Sequence, residues 1–285
     1  MKKFFAVVLS CLLVAGMFTG CGNSTAEETK APETPAAAPE TTAAAAQTAA
    51  PETAAFTTVE KGKLIMSTNA AFPPYEMVAD NGSFEGIDVE VAGAIAQKLG
   101  LELEIDDMDF DAALLAVQLG KSDMVMAGVS VTEDRLMVMD FTNSYATGVQ
   151  VVIIKEGSDV TMDNLGEKMI GCQRGTTGYI YASYTPEDGG YGEDHVTAFD
   201  NGASAVQALM NGQVDCVIID SAPAQEFVAA NPGLTTLDGN WVEEEYAIGM
   251  SKDNTALLDA VNTALSELIA DGTVQAIVDK YISAE

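Results

Sequence analysis

Two passages of this chain can be laid over one another, and together they restrict what it can fold into. Leu119-Gly120-Lys121-Ser122-Asp123 runs into Met124-Val125-Met126-Ala127-Gly128; Met210-Asn211-Gly212-Gln213-Val214-Asp215 runs into Cys216-Val217-Ile218-Ile219-Asp220. In each, a helix ends at glycine, an aspartate stands three residues on, and an apolar strand ends five residues after that aspartate. Gly128 therefore corresponds to Asp220. Duplication and a shared helix-turn-strand grammar give the same pattern, and both lead to the same geometry. Strands that alternate with helices of this length build a parallel sheet, and ligands in open parallel sheets sit beyond the carboxyl ends of the strands. If two such lobes face each other, Asp220 and the segment after Gly128 reach one cleft from opposite sides.

The rest of the chain extends this α/β reading. Lys63 to Thr68 reads as a strand, and Pro73 and Pro74 hold Asn69 to Glu76 out of helix. A hairpin is expected around Asn81-Gly82. A helix follows, capped by Asp88, striped by Val91, Ile95 and Leu99, and closed by Gly100. Leu101 to Ile105 reads as a strand, Asp111 to Leu119 as a helix and Asp123 to Val129 as a strand. Phe141 to Gly148 then interrupts the alternation, and Val149 to Ile154 opens a second set. That set contains a strand at Met169 to Gln173, Gly175-Thr176-Thr177-Gly178 leading into a helix, and a strand near His195 to Phe199. The helix Ala203 to Met210 and the strand Asp215 to Ile219 complete it. The last two helices, Ala256 to Ala270 and Thr273 to Tyr281, form no third sheet and are expected to pack back on the first lobe. The chain would then cross between lobes twice, with lobe 1 at 59–147 plus 247–285 and lobe 2 at 148–246.

Composition narrows the partners. The formal charge of -30 excludes nucleic acid, because an acidic surface cannot collect phosphate backbones. It says little about a small ligand, since exposed charges are screened beyond about 8 Å at physiological salt. A single histidine, His195, and four cysteines without CxxC spacing remove most zinc sites and histidine-based triads, and no cofactor is expected. Cys172 and Cys216 lie on strands and read as buried thiols; a disulfide would have to join neighbouring strands. Asp106, Asp107 and Asp109 lack the glycine and terminal glutamate of an EF-hand loop, and read as a solvated turn.

The first 20 residues, with Lys2 and Lys3 before an apolar run from Phe4 to Val14, read as a secretory signal too short to span about 30 Å of hydrocarbon. Phe18-Thr19-Gly20-Cys21 resembles the bacterial lipobox, which makes Cys21 the lipidated first residue of the mature chain; Phe18 departs from the usual leucine. Residues 21–58, rich in Ala, Thr, Pro and Glu, bury too little surface to offset chain entropy and read as a solvated tether.

Arg135 is one of only two arginines in the chain, and it follows a strand end, Ala127-Gly128, where the backbone can approach a ligand closely. A planar two-pronged donor there matches a carboxylate or a phosphate. Taken alone, the same side chain also fits a surface pair with Glu133 or Asp134. With Asp220 across the cleft, the inventory suits a zwitterion. An α-carboxylate would lie on Arg135, helped by Ser130 and the Gly175-Thr176-Thr177 turn, and the α-ammonium on Asp220. Phe72 and Phe110, with Tyr75 nearby, would hold the side chain. Gln173 is placed at the cleft edge, Arg174 on the surface, and Glu76 is the one spare carboxylate near the cleft.

These residues resemble the solute-binding proteins of polar amino-acid ABC transporters. The motifs are Asn69-Ala70-Ala71-Phe72-Pro73-Pro74-Tyr75-Glu76, Gly86-Ile87-Asp88-Val89-Glu90, Asp109-Phe110-Asp111 and Ala127-Gly128-Val129-Ser130-Val131-Thr132-Glu133-Asp134-Arg135. Gly175-Thr176-Thr177-Gly178 and Val214-Asp215-Cys216-Val217-Ile218-Ile219-Asp220 follow in the expected order. The resemblance implies the type II periplasmic-binding-protein fold, two Rossmann-like lobes on a two-strand hinge near Tyr145 to Val149 and Trp241 to Tyr246. It implies a monomeric, lipid-anchored extracytoplasmic receptor that closes on a free polar L-amino acid and delivers it to a membrane permease. It also implies carboxylate binding by Arg135 with Ser130, Thr176 and Thr177, amine binding by Asp220, and enclosure by Phe72 and Phe110. Asn69 stands where several binders carry an acidic residue, which argues against a cationic ligand. A secreted dehydratase on the same fold would need an acid or base beyond the groups that hold the zwitterion. A sensor would need an output domain, and none is expected from these motifs.

Overall fold

The computed structural model describes residues 56–282. The expected signal segment, the lipidation at Cys21 and all but the end of the 21–58 tether lie outside the described residues. The end of that tether is held against the body: Phe56 packs on the core, and the Thr57 carbonyl accepts a bond from Asn254 Nδ2 at 2.9 Å. None of the described helices is long and apolar enough to cross a membrane.

The first half of the sheet comes from β1 (Lys63–Thr68), β5 (Glu102–Asp107) and β6 (Met124–Val125), all parallel, with helix α2 (Phe110–Gln118) between β5 and β6. Between β1 and β5 lie a small antiparallel sheet of β2 (Ala71–Phe72), β3 (Glu76–Val78) and β4 (Phe84–Glu85), and then helix α1 (Ile87–Leu99). α1 buries Val91 and Ile95 completely and ends on Gly100 in the left-handed conformation, as expected of its stripe and stop signal. Its start differs from expectation. Gly86 is the N-cap, and Asp88 makes no capping bond because it is buried inside the first turn. The Asp88 carboxylate accepts instead from Gly128 N at 2.9 Å and Tyr145 Oη at 2.7 Å.

The second half comes from β8 (Ile170–Gln173), β9 (Val196–Phe199) and β10 (Cys216–Asp220), again parallel, with helices α4 (Thr177–Ser183) and α5 (Gly202–Met210) between them. The halves are joined by β7 (Asp140–Lys155) and β12 (Val242–Met250), antiparallel to each other, giving the order β5-β1-β6-β12-β7-β10-β8-β9. A further strand, β11 (Leu234–Thr236), also pairs with β7, and α6 (Ser221–Ala230) precedes it. Phe141 to Gly148, expected to break the alternation, is the first half of β7. Buried Thr142, Tyr145 and Gly148 are interspersed there with exposed Asn143 and Thr147 without strict alternation, so the stretch looks like loop in sequence, whereas Val151 to Ile154 are buried throughout and read as strand. The final helices, α7 (Thr255–Ala270) and α8 (Thr273–Tyr281), pack against α1, in the first half as expected.

The matched aspartates have one job. Asp123 Oδ2 accepts from Ile65 N at 2.8 Å and Asp123 Oδ1 from Val59 N at 2.8 Å, while Asp215 Oδ2 accepts from Met169 N at 2.8 Å. Each carboxylate takes a backbone N–H at the start of the parallel strand beside its own. Cys172 and Cys216 are free, buried thiols, and burial pushes the Cys216 thiol up to about 12. Asp123→Ala strands two N–H groups, one of them deeply buried, and should cost about 2–3 kcal/mol in urea unfolding. Asp215→Ala, on a single exposed bond, should cost under about 1 kcal/mol; equal losses would refute the ranking.

Candidate functional site

The chain beyond β6 and β10 and the start of α4 meet at one cavity, as strand ends in open α/β sheets do. Its wall is Asn69, Phe72, Glu76, Phe110, Ala127, Gly128, Ser130, Arg135, Gln150, Gln173, Thr176, Thr177, Ile218, Ile219 and Asp220. Every predicted ligand residue except Tyr75 is on that wall. Tyr75 lies one layer behind, stacked on Phe72 at 5.8 Å between centroids and edge-on to Tyr246 at 5.2 Å. The turn between β2 and β3 sends its ring into the core while Phe72 and Glu76, paired across those strands, face the cavity.

Arg135 sits in a short helix, α3 (Glu133–Val138), whose N-cap Thr132 accepts from Arg135 N at 3.3 Å. Arg135 is 7% exposed, and its guanidinium lies 5.5 Å from the Phe110 ring centroid. Nη1 donates to Ser130 O at 2.8 Å and Nη2 to Gly175 O at 3.1 Å, a bond that reaches from the first half of the sheet to the second. Among the described residues no carboxylate forms an ion pair with it, so the surface pairing with Glu133 or Asp134 does not occur. Burial lowers its pKa, opposed chiefly by Glu244 and, less, by Asp220.

Asp220 ends β10 and stands at the N-cap position of α6 without making a capping bond. Its carboxylate accepts from Tyr246 Oη and from Gln150 Nε2, the latter at 2.8 Å. Burial nevertheless pushes it up to about 7. Glu76 is fully buried, neither of its oxygens receives a hydrogen bond, and its pKa is raised well above the carboxylate range by burial and by the neighbouring Asp88. Asp88 beside it is pushed up to about 6, chiefly by burial. Asn69 is engaged at both ends: Nδ2 donates to Met108 O and Oδ1 accepts from Gln173 Nε2, each at 2.9 Å. Thr176 spends its hydroxyl on the cap of α4, accepting from Tyr179 N and donating to Gln173 O, whereas Thr177 Oγ1 donates to Glu244. Arg174 is exposed, 3.8 Å from Asp200.

Five contributors had not been anticipated: Gln150, Ile218 and Ile219 on the wall, and Tyr246 and Glu244 behind it. Gln150 carried a signal, a lone amide inside the apolar run Val149 to Ile154, where an unpaired amide would be costly. Tyr246 carried none, because a tyrosine in a strand is ordinary. Among the described residues no group of histidine, cysteine or acidic side chains is arranged to hold a metal ion.

Comparison with known proteins gives this geometry a context. The chain is 30% identical to the ABC transporter arginine-binding protein 1 of Escherichia coli (strain K12) over 224 residues, covering 77% of this chain and 90% of that protein. Among solved structures, an ancestral arginine-binding protein bound to glutamine superposes with a TM-score of 0.73 at 36% identity, covering 79% of this chain and 100% of the other. The arginine-, lysine-, histidine-binding protein ArtJ from Geobacillus stearothermophilus gives 0.72 at 32% identity, covering 78% and 96%. A profile of bacterial extracellular solute-binding proteins, family 3, matches residues 64–284. The two half-sheets joined by paired long strands, and the cavity at their strand ends, are thus those of a type II periplasmic binding protein, and the chain belongs to the bacterial extracellular solute-binding proteins of family 3, binding proteins and not enzymes.

Proposed function

We propose that this protein captures a free L-amino acid with a cationic side chain, arginine foremost, and delivers it to the permease of an ABC importer. The observation that carries the reading is the placement of Arg135 and Asp220, from opposite halves of the sheet, on one enclosed wall. Arg135 has N–H donors beyond the two that hold Ser130 and Gly175, and these suit an α-carboxylate, with Ser130, Thr176 and Thr177 at its side. Asp220 takes the α-ammonium, Ala127 and Gly128 let the backbone come close, and Phe72 and Phe110 flank the side chain. Asn69 and Gln173, bonded to each other, join the walls of the cavity and do not read the side chain.

The preference for a cation rests on Glu76. A buried carboxyl with no donor of its own, backed by Asp88, becomes favourable to ionise once a guanidinium or ammonium displaces its proton. This outweighs the neutrality of Asn69, whose amide is spent. Similar proteins named for arginine, and for arginine, lysine and histidine, agree with that choice. The reading includes anchorage of a monomer through a lipid on Cys21, with residues 21–58 as tether. It also includes closure about β7 and β12 of a lobe at 59–147 plus 247–285 onto one at 148–246; ligand shifts that equilibrium by its preference for the closed form.

In a thermal-shift screen of the twenty amino acids and cystine, L-arginine should give the largest rise. At a hundred times its dissociation constant it should add about 2.7 kcal/mol. A response to neutral amino acids alone would refute the cationic preference. Arg135→Ala should lose about 3–5 kcal/mol of binding in titration calorimetry, and unchanged affinity would remove the carboxylate role. Affinity should also depend on pH. The ligand ammonium favours the ionised form of Asp220, so its pKa falls on binding and a proton leaves. Affinity should therefore weaken as pH drops below about 7, by up to ~tenfold per pH unit, with proton release near neutrality. A flat profile would show that Asp220 does not hold the ammonium.

A further inference from the structure

The acidic run Glu243-Glu244-Glu245 lies on β12. It alternates there: Glu243 and Glu245 face solvent, and Glu244 turns inward, 9% exposed. Its Oε2 accepts three hydrogen bonds, from Thr177 Oγ1 at 2.9 Å, Ser130 Oγ at 3.0 Å and Gln150 Nε2 at 3.0 Å. Its Oε1, equally buried, receives none. Ser130 and Thr177 lie on the two sides of the cavity, so one carboxylate oxygen ties both sides together.

We infer that Glu244 is a resident stand-in for the ligand's carboxylate, an internal competitor that sets the affinity of the site. The inference rests on the reading that the α-carboxylate binds beside Arg135. Ser130 and Thr177 are the hydroxyls that this carboxylate needs, and each hydroxyl has a single proton to donate. Glu244 and the ligand therefore exclude each other at both donors. With Glu244 in place both hydroxyls have an acceptor. Capture requires the Glu244 carboxylate to give up two charge-assisted bonds and to tolerate a second anion at the same place. Release runs the exchange backwards, since Glu244 recovers its donors as the ligand leaves.

The same residues permit an opposite role. Gln150 Nε2 donates to both Asp220 Oδ2 and Glu244 Oε2, as a ligand ammonium placed there would, and Glu244 would then help to bind ligand. The two roles predict opposite signs for one isosteric change. Titration calorimetry should compare wild type and Glu244→Gln with L-arginine and with agmatine, its decarboxylated analogue. A competitor predicts at least ~tenfold tighter L-arginine binding in the variant and unchanged agmatine binding. Weaker binding of both would assign Glu244 to the ammonium and overturn the proposal, and so would unchanged L-arginine affinity. Thermal melting of the ligand-free variant checks its fold, and Glu244→Met, which also removes the charge, should tighten L-arginine binding in the same direction. If wild type binds agmatine as well as L-arginine, or binds neither, the underlying reading of the site fails, an outcome distinct from failure at Glu244.

Discussion

The pairing of β7 with β12 carries the site. These strands run antiparallel through both halves of the sheet, and they deliver Gln150, Glu244 and Tyr246 to the base of the cavity while their other ends lie in the core of the first half. The pairing depends on close approach. A Cβ at Gly148 would collide with the Tyr246 hydroxyl and with Asp220 Oδ1. Glycine there leaves room for the Tyr246 ring to reach across β7 and donate to Asp220. The register shifts between Tyr246 and Gly249 fall where the strand leaves one half and enters the other, and Ser130 bridges to Tyr246 at the same level.

Around this base, Glu76, Asp88, Asp220 and Glu244 are buried beside a single guanidinium. Such an excess is unfavourable in a protein interior, and the site answers by holding protons and by hydrogen bonding. Asp88 and Asp220 have folded-state pKa values raised to about 6 and about 7, above those of the unfolded chain. Their stabilising contribution is therefore complete at low pH and is lost as pH rises through those values. A cationic guest reverses that penalty. Assembling acidic groups without counter-ions therefore carries an energetic cost that a bound positive charge would offset.

Much of this was legible in the chain. The helix-glycine-aspartate-strand repeat, with its strands alternating with helices, located two parallel half-sheets, and in each the aspartate holds a backbone N–H near the start of the neighbouring strand. Arg135 and Asp220 were recognisable as cavity residues from their positions beyond strand ends. Asp88, by contrast, looked like a helix cap, since an acidic residue near a helix start satisfies the local rule; only its burial under Gly128 and Tyr145 assigns it elsewhere. Tyr75 stood beside two true wall residues in sequence, and the turn geometry alone separates them.

Local pattern by itself determined the elements, their parallel order and the charged pair on the cavity wall, because periodicity, capping residues and strand ends act over a few residues. Tertiary structure decided what lies far apart in sequence. It made β7 continuous across a stretch that reads as loop, set Asn69 on Gln173, left Glu76 without a donor and brought Glu244 to the hydroxyls of Ser130 and Thr177. Each of these depends on a hydrogen-bonding partner from a distant segment, or on the lack of one. Whether a buried polar group is satisfied is a property of the packed molecule, and no local pattern encodes it.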